Sequence, residues 1–349
     1  MRYCLTSRAW QRMSRSVSAI RISIIVPVFN NPRDLAECLA GLSASLCPGA
    51  EIIVVDDAST DDTPTVPLRF GARVLQLAQN SGPAAARNYG ARYAQGDILF
   101  FVDADVVVTP GAVDRVILVL AEHPEVAAVF GSYDAQPRAA GVVSRYRNLL
   151  HHFVHQHGNP EAATFWAGCG AIRRAVFQEL GGFDARRFPL PSIEDIELGY
   201  RLRQAGHRIL LDKTLQGTHL KRWTLGSMIW TDVVRRAVPW SRLILESKIA
   251  PDDLNLDRRQ RLSGALVGLT GVYILLAAFQ VKLLVLAAVA LCCVLPLNRQ
   301  LYTFFLRQGG WCFGAACVLL HFLYYLYSGL SYLYVWLSFH LHSVSRRAL

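Results

Sequence analysis

From Leu262 to the C-terminus the chain contains no Asp or Glu, and its only fixed charges are Lys282, Arg299, Arg307, Arg346 and Arg347. A stretch of that length and polarity cannot cover a soluble domain; it is membrane material. The whole chain, 349 residues at 52% hydrophobic and 18% charged with a mean hydropathy of +0.27, is too apolar for disorder and for one ordinary soluble domain. The five cations of the tail supply +5 of the formal +10, so Met1–Arg261 carries the other +5 together with all 26 acidic residues. Its basic residues are dispersed or flank apolar segments. That distribution excludes a nucleic-acid module and fits attraction to anionic headgroups.

The eight cysteines show neither zinc spacing nor a disulfide framework, so reduced thiols in a cytoplasmic setting are expected. The first twenty residues carry Arg2, Arg8, Arg12 and Arg15 without the continuous apolar core of a secretory signal, so the following domain is expected to stay in the cytosol. Four regions are expected: a basic arm at 1–20, an α/β domain at 21–222, an amphipathic helical region at 223–261, and a transmembrane region at 262–349. Leu262–Leu297 exceeds one untilted span of about 20 residues. With Lys282 at its middle, it is best satisfied by a hairpin of two short helices. Asn298–Gly310 is amphipathic and Trp311–Leu337 is a full-length span, giving two or three spans in all. Trp223–Lys248 mixes tryptophans with Arg235, Arg236 and Arg242. Such a helix lies at the headgroup level or packs on the domain with solvated arginines.

Between Arg21 and Phe130 the pattern alternates strand and helix. Ile22–Phe29, Glu51–Val55, Ala72–Leu77 and Ile98–Val102 are short apolar runs, and helical periodicity lies between them, with Leu35, Leu39 and Leu42 on one face of Asp34–Ser45. Runs buried on both faces and separated by helices predict a mostly parallel sheet with helices on either side. Ligands of such sheets bind at the carboxyl ends of the strands, where Asn30, Asp57 and Asp103 fall.

Asp103-Ala104-Asp105 ends the fourth run. Two carboxylates two residues apart beyond a buried strand can face one hard cation, Mg²⁺ or Mn²⁺, while a diphosphate completes its octahedron. The alternative is a solvated turn in which Asp105 caps the helix beginning near Pro110. Asp57, within Asp56-Asp57-Ala58-Ser59-Thr60-Asp61, can accept hydrogen bonds from a nucleobase or ribose, whereas Ser59 and Asp61 suit helix capping. Asn80 to Asn88 is a loop feeding a helix of small residues, in which the Arg87 guanidinium can reach a diphosphate or pair with an aspartate. Glu194, Asp195 and Glu197 open a helix whose positive end stabilises ionised carboxylates, and Asp195 is the expected general base. Ordinary capping explains acids there equally well. His219 stands next to Lys221, Arg222 and Trp223 and becomes a metal ligand only if the fold brings it to Asp105. His151, His152, His155 and His157 form a solvated or acceptor-facing stretch.

Taken in order, Ser23–Asn30, Val55–Asp61, Asn80-x-Gly82 with Ala86-Arg87-Asn88, Asp103-Ala104-Asp105, Gly181-Gly182-Phe183-Asp184 and Glu194-Asp195 resemble glycosyltransferase family 2, inverting enzymes of the GT-A fold that use nucleotide-diphospho-sugars. The likeness runs from about Ser23 to Trp223. It implies a Rossmann-like nucleotide-sugar-binding domain in which Pro27, Val28 and Asp57 hold the nucleobase and ribose; Asn30, Arg87, Asp103 and Glu194 are the further residues expected to bind substrate. It further implies that Asp103, Asp105 and His219 hold the metal and that Asp195 is the base. His219 to Trp223 falls in register with the Gln-x-x-Arg-Trp motif of processive polysaccharide synthases, assigning Arg222 and Trp223 to substrate, although His replaces Gln. The tail resembles that of membrane-bound members acting on lipid-linked acceptors of the cell envelope. The expected function is transfer of a sugar to a hydroxyl or phosphate of a lipid-linked acceptor at the cytoplasmic face. The alternatives are a catalytically silent nucleotide-sugar-binding scaffold and a processive synthase. A transporter is disfavoured because the tail holds no carboxylate for an ion path.

Overall fold

The computed structural model describes residues 20–345. The basic arm, save its last residue, and the terminal Arg346 and Arg347 lie outside the described residues. In chain order the elements are β1 (Ile22–Val28), α1 (Pro32–Ser43), β2 (Ala50–Asp56), β3 (Arg73–Gln76), α2 (Gly82–Tyr93), β4 (Ile98–Val102), β5 (Val106–Val108), α3 (Ala112–Glu122), β6 (Val126–Tyr133) and α4 (Val142–His157). There follow β7 (Cys169–Arg173), α5 (Arg174–Glu179), α6 (Glu194–Gln204), β8 (Arg208–His219), α7 (Leu225–Trp230), α8 (Val238–Ser247), α9 (Arg258–Leu276), α10 (Leu283–Leu297) and α11 (Arg299–Ser345). Two compact units result. One holds the chain up to Arg138 together with Gly158–Leu220; the other holds Ala139–His157 and everything from Lys221 onward.

The first unit is built on an eight-stranded sheet in the order β3-β2-β1-β4-β7-β6-β8-β5. Pairings β1–β2, β1–β4, β2–β3 and β6–β8 are parallel, whereas β7 runs antiparallel to both β4 and β6 and β5 runs antiparallel to β8. The mostly parallel α/β sheet expected from the sequence is therefore present, with an antiparallel strand at its centre. The chain runs outward from β1 through β2 to β3, then crosses back to place β4 on the other side of β1. The gap between β1 and β4 is consequently the topological switch point, where a crevice opens beyond the strand ends. Its width is visible in the register. β1 pairs with β2 along its whole length to Val28↔Asp56, but with β4 only as far as Ile25↔Phe101. Pro27, which has no N–H to donate, thus falls beyond the β4 ladder.

Helix starts follow local chemistry. α1 begins two residues before the apolar periodicity because Pro32, with its fixed φ, occupies the first turn. It buries Leu35, Cys38, Leu39 and Leu42 against the sheet. α2 is rich in small residues because it lies close on the sheet: a Cβ on Gly90 would come within 2.7 Å of Ile25 Cγ2 and 2.9 Å of Val55 Cγ2. α3 starts after Gly111, at φ 81°, rather than under an Asp105 cap. Asp105 instead leads into β5, a short strand that the alternating apolar pattern did not announce.

In the second unit the hairpin expected over Leu262–Leu297 is formed by α9 and α10, with Lys282 in the turn between them. Gly310, at φ 75°, breaks α11 into the amphipathic stretch and the apolar helix read from the sequence. Among the described residues Arg299–Leu341 is the one helix long and apolar enough to cross a membrane. Large apolar side chains of the unit are turned outward, Phe279 91% and Trp311 82% exposed among them. The 223–248 region is helical but not uniform: a π-helical turn, Thr231–Ala237, separates α7 from α8. Pro239 accounts for this widening, since its ring displaces the carbonyl one turn earlier. Asp232 in that turn is buried and is met by Arg147 Nη2 at 2.6 Å, by the Tyr327 hydroxyl, which donates to it at 2.6 Å, and by Arg236 Nη1 at 3.8 Å.

Gly90→Leu should drive a side chain into Ile25 and Val55 and destabilise the first unit by about 1–3 kcal/mol, the usual cost of overpacking. A lowered midpoint of thermal unfolding followed by circular dichroism checks this.

Candidate functional site

At the carboxyl ends of β1 and β2 the backbone turns sharply, and polar side chains hold the turns. Asn30 adopts a left-handed backbone at φ 47°, which asparagine tolerates. Its Oδ1 accepts from Thr60 N at 2.8 Å, and its own N–H donates to Ser59 Oγ at 2.9 Å. Asp57 is buried. Its N–H donates to the Val28 carbonyl, while Oδ1 and Oδ2 accept from the backbone amides of Ser81 and Gly82 at 2.7 and 2.8 Å. Burial pushes the Asp57 carboxyl above its usual range and the two amides pull it back. Asp57 therefore clamps the end of β2 to the start of α2, and Pro27 and Val28 form the adjoining wall. Ala58, at φ 62°, is a left-handed alanine next to this clamp, and strain of that kind gathers at functional sites. Asp56 and Asp61 serve the turn itself, accepting from Ser59 N and from Thr63 respectively.

Beyond β4 the Arg87 guanidinium, 5% exposed, bridges two carboxylates: Nη2 lies 2.6 Å from Asp103 Oδ1 and Nη1 lies 2.9 Å from Glu194 Oε1. Of the two compatible roles read for it from sequence, the pair with an aspartate is present, and Glu194 is added. Glu194 Oε2 also accepts from Ser192 N, fixing the loop that enters α6. Asp195 is half-buried. Its Oδ2 accepts from Ala167 N at 3.1 Å, and the neighbouring Gly168 carbonyl accepts from Asp103 N at 3.1 Å. Asp103 and Asp195 thus share one short loop between them. Burial pushes the Asp195 carboxyl up to about 7, and the adjacent Glu194 charge adds to this, against the pull of Arg87 and the amides of Ala167 and Ile196.

Asp105 reaches His219 by sheet register. Antiparallel pairing of β5 with β8 sets Val106 opposite His219, and Leu220 N donates to the Asp105 carbonyl. Asp105 Oδ2 and His219 Nε2 are 3.6 Å apart. The imidazole stacks on Tyr133, centroids 4.2 Å apart, and Tyr133 meets Trp166 edge to face. Asp103 faces Arg87 instead, and among the described residues no three His, Cys, Asp or Glu side chains converge as a complete metal cage. Trp166 falls in the segment Phe165–Gly170, which sequence reading assigns to acceptor contacts, whereas Tyr133 was not foreseen; the signal for it is an aromatic ending an apolar run.

Arg222 and Trp223 belong to the second unit. Arg222 is exposed; Trp223 is buried, its backbone N–H donating to Ser144 Oγ and its ring lying under the Lys221 ammonium at 4.6 Å. The histidine stretch forms the end of α4, where His151 and His155 rings lie 3.9 Å apart and His155 is buried rather than solvated.

Residues 23–181 match the family model described as Glycosyl transferase family 2. Over that segment the chain is similar to the family. It is 28% identical over 195 residues to an uncharacterized glycosyltransferase of Haemophilus influenzae, covering 52% of this chain and 62% of the relative. It is 28% identical over 219 residues to the pre-mycofactocin glycosyltransferase of Mycobacterium tuberculosis, covering 60% of this chain and 44% of that one. The chain thus spans less than two thirds of the length of these relatives. Among solved structures, a mannosyltransferase of Pyrobaculum calidifontis in complex with GDP-Man and Mn²⁺ superposes with a TM-score of 0.59 at 20% identity, over 93% of this chain and 94% of that chain. The fold is of the GT-A type expected.

Asp57→Asn leaves one of the two backbone amides without its acceptor and should cost about 1–3 kcal/mol. A lower thermal midpoint, with weakened nucleotide binding in a titration of the same variant, checks the clamp.

Proposed function

We propose that this protein transfers a sugar, with inversion, from a nucleotide-diphospho-sugar to a hydroxyl or phosphate of a lipid-linked acceptor at a membrane surface. The observation that carries the reading is the meeting of Asp103 and Asp195 on the 167–168 backbone, at the switch point of a family 2 domain, with Asp105 and His219 side by side two residues further on. Pro27, Val28, Asn30 and Asp57 line the end of the crevice where a nucleoside fits. Asp195 Oδ is the acceptor for the proton of the attacking hydroxyl; transfer is in line, and the nucleoside diphosphate departs.

Asp105 and His219 are an oxygen and a nitrogen donor held together by strand register, a pair that suits Mg²⁺ or Mn²⁺ when diphosphate oxygens fill the other positions. When bound there, the cation neutralises charge growing on the leaving diphosphate. The Mn²⁺ and GDP-Man of the Pyrobaculum mannosyltransferase support both donor class and metal class. The membrane placement is supported by the outward-facing apolar side chains of α9, α10 and α11, which in water would form a patch far larger than soluble proteins carry. Positioned there, the protein meets a lipid-linked acceptor by diffusion in two dimensions.

Asp195→Asn should retain donor binding and lose about 10²–10⁴-fold in kcat, the size of a general-base contribution. Near-normal turnover sinks the assignment. Because the Asp195 carboxyl titrates at about 7, it is protonated and unable to accept a proton below that pH. The kcat of the wild type should therefore fall on the acid side of pH 7, and a flat profile from pH 5 to 8 counts against the base. Dialysis against EDTA should abolish transfer of radiolabelled sugar into extracted lipid, with Mg²⁺ or Mn²⁺ restoring it; activity undiminished by chelator removes the metal from the reading.

A further inference from the structure

Arg87 is unusual in how completely it is enclosed and in what it joins. It is carried by α2, yet its two terminal nitrogens reach the end of β4 at Asp103 and the first residue of α6 at Glu194, positions 16 and 107 residues away in the chain. Its Nε is buried with no partner, and the ring of Phe183 covers the guanidinium at 5.5 Å from its centroid. Phe183 is itself pinned, its N–H donating to Asn88 Oδ1 and its carbonyl accepting from Asn88 Nδ2. A guanidinium in this state has no free fork to offer a diphosphate. What it does have is a fixed geometry to two carboxylates, each adjacent to a group that the proposed reaction uses. Asp103 is bound through its own N–H to Gly168, and Glu194 precedes Asp195 at the start of the same helix.

We propose that the Arg87–Glu194 pair is a positioning device for the base: Arg87 ties the start of α6 to the end of β4, so that the Asp195 carboxylate is held at the 167–168 loop, and acts through these carboxylates rather than on the substrate. This inference rests on the glycosyl-transfer reading and refines it. The charged groups facing Asp195 are Glu194 from its own helix, Arg87 from α2 and, across Arg87, Asp103 from the end of β4. Glu194 opposes ionisation of Asp195 and Arg87 favours it, so the two members of the pair pull on the base with opposite signs.

The test uses the full chain in detergent or nanodiscs, assayed for sugar transfer into lipid as a function of donor concentration and pH. Arg87→Lys keeps the charge but, as a single point donor, cannot hold both carboxylates in fixed geometry. It should lower kcat by about 10²-fold, the effect of a small misplacement of a reacting group, with donor KM within about twofold of wild type. Glu194→Gln keeps a hydrogen-bond acceptor for Arg87 and removes the like charge beside Asp195, and should move the acid limb of the kcat profile to lower pH by about 1 unit. A structural role alone does not move that limb. If Arg87→Lys fails to fold, Glu194→Asp, which keeps the charge but draws the acceptor away from Arg87, decides in its place by the same fall in kcat at unchanged donor KM. A raised donor KM with unchanged kcat in Arg87→Lys places the guanidinium on the diphosphate and overturns the proposal, as does an unmoved acid limb in Glu194→Gln. A wild type that transfers no sugar overturns the glycosyl-transfer reading and this inference together; an active wild type with an unmoved limb overturns this inference alone.

Discussion

A guanidinium taken out of water must be answered by charge, and at Arg87 the answer comes from two segments that the chain brings together only in the folded state. Separating Glu194 would leave a buried carboxylate without its counterion, and separating Asp103 would leave the buried guanidinium with one partner in place of two. That penalty makes the placement of the end of β4 and the entry to α6 mutually dependent. The sheet supplies the crevice, but this ion pair decides which side chains face each other across it. The closely packed small residues of α2 follow from the same requirement, because Arg87 reaches both partners only if its helix lies near the sheet.

A second constraint sits at the other end of the crevice. The amides at the start of α2 are taken up by Asp57, and the start of α6 is occupied by Glu194, so the positive ends of both helices are engaged by carboxylates. The protein spends its helix ends on internal order.

The strands that were easiest to read from the sequence are those buried on both faces. Ile98–Val102 is recovered to the residue, and Ile22–Val28 and Ala50–Asp56 to within one or two, because continuous β-branched and aromatic runs ended by Asp or Asn leave few alternatives. β5, β7 and β8 were not legible. Three valines after a turn and the Gly-Cys-Gly segment carry no periodicity, and β8 alternates with Lys213, Thr214 and Gln216 in a way that polar loops share. Yet β5 and β8 bring Asp105 to His219, a contact that register alone creates. Asp195 could be singled out from motif order as the base we propose, whereas the Arg87–Glu194 pair could not, since a pairing across 107 residues leaves no local trace. In the tail, hydrophobicity predicted the hairpin and the long helix, and Gly310 marked the break between amphipathic and apolar parts. The buried Asp232 in a π-helical turn was hidden in what looked like an ordinary amphipathic segment.

The path of the chain has its own consequence. It leaves the sheet unit after Arg138, contributes α4 to the helical unit, returns at Gly158, and departs again after Leu220. Within the helical unit α4 is knitted to its companions: Arg147 pairs with Asp232, Arg145 Nη2 donates to the Gln308 carbonyl, and the Tyr146 ring meets Phe305. Removing the hydrophobic tail would accordingly strand α4 inside the chain, its charged and aromatic face bereft of its lining.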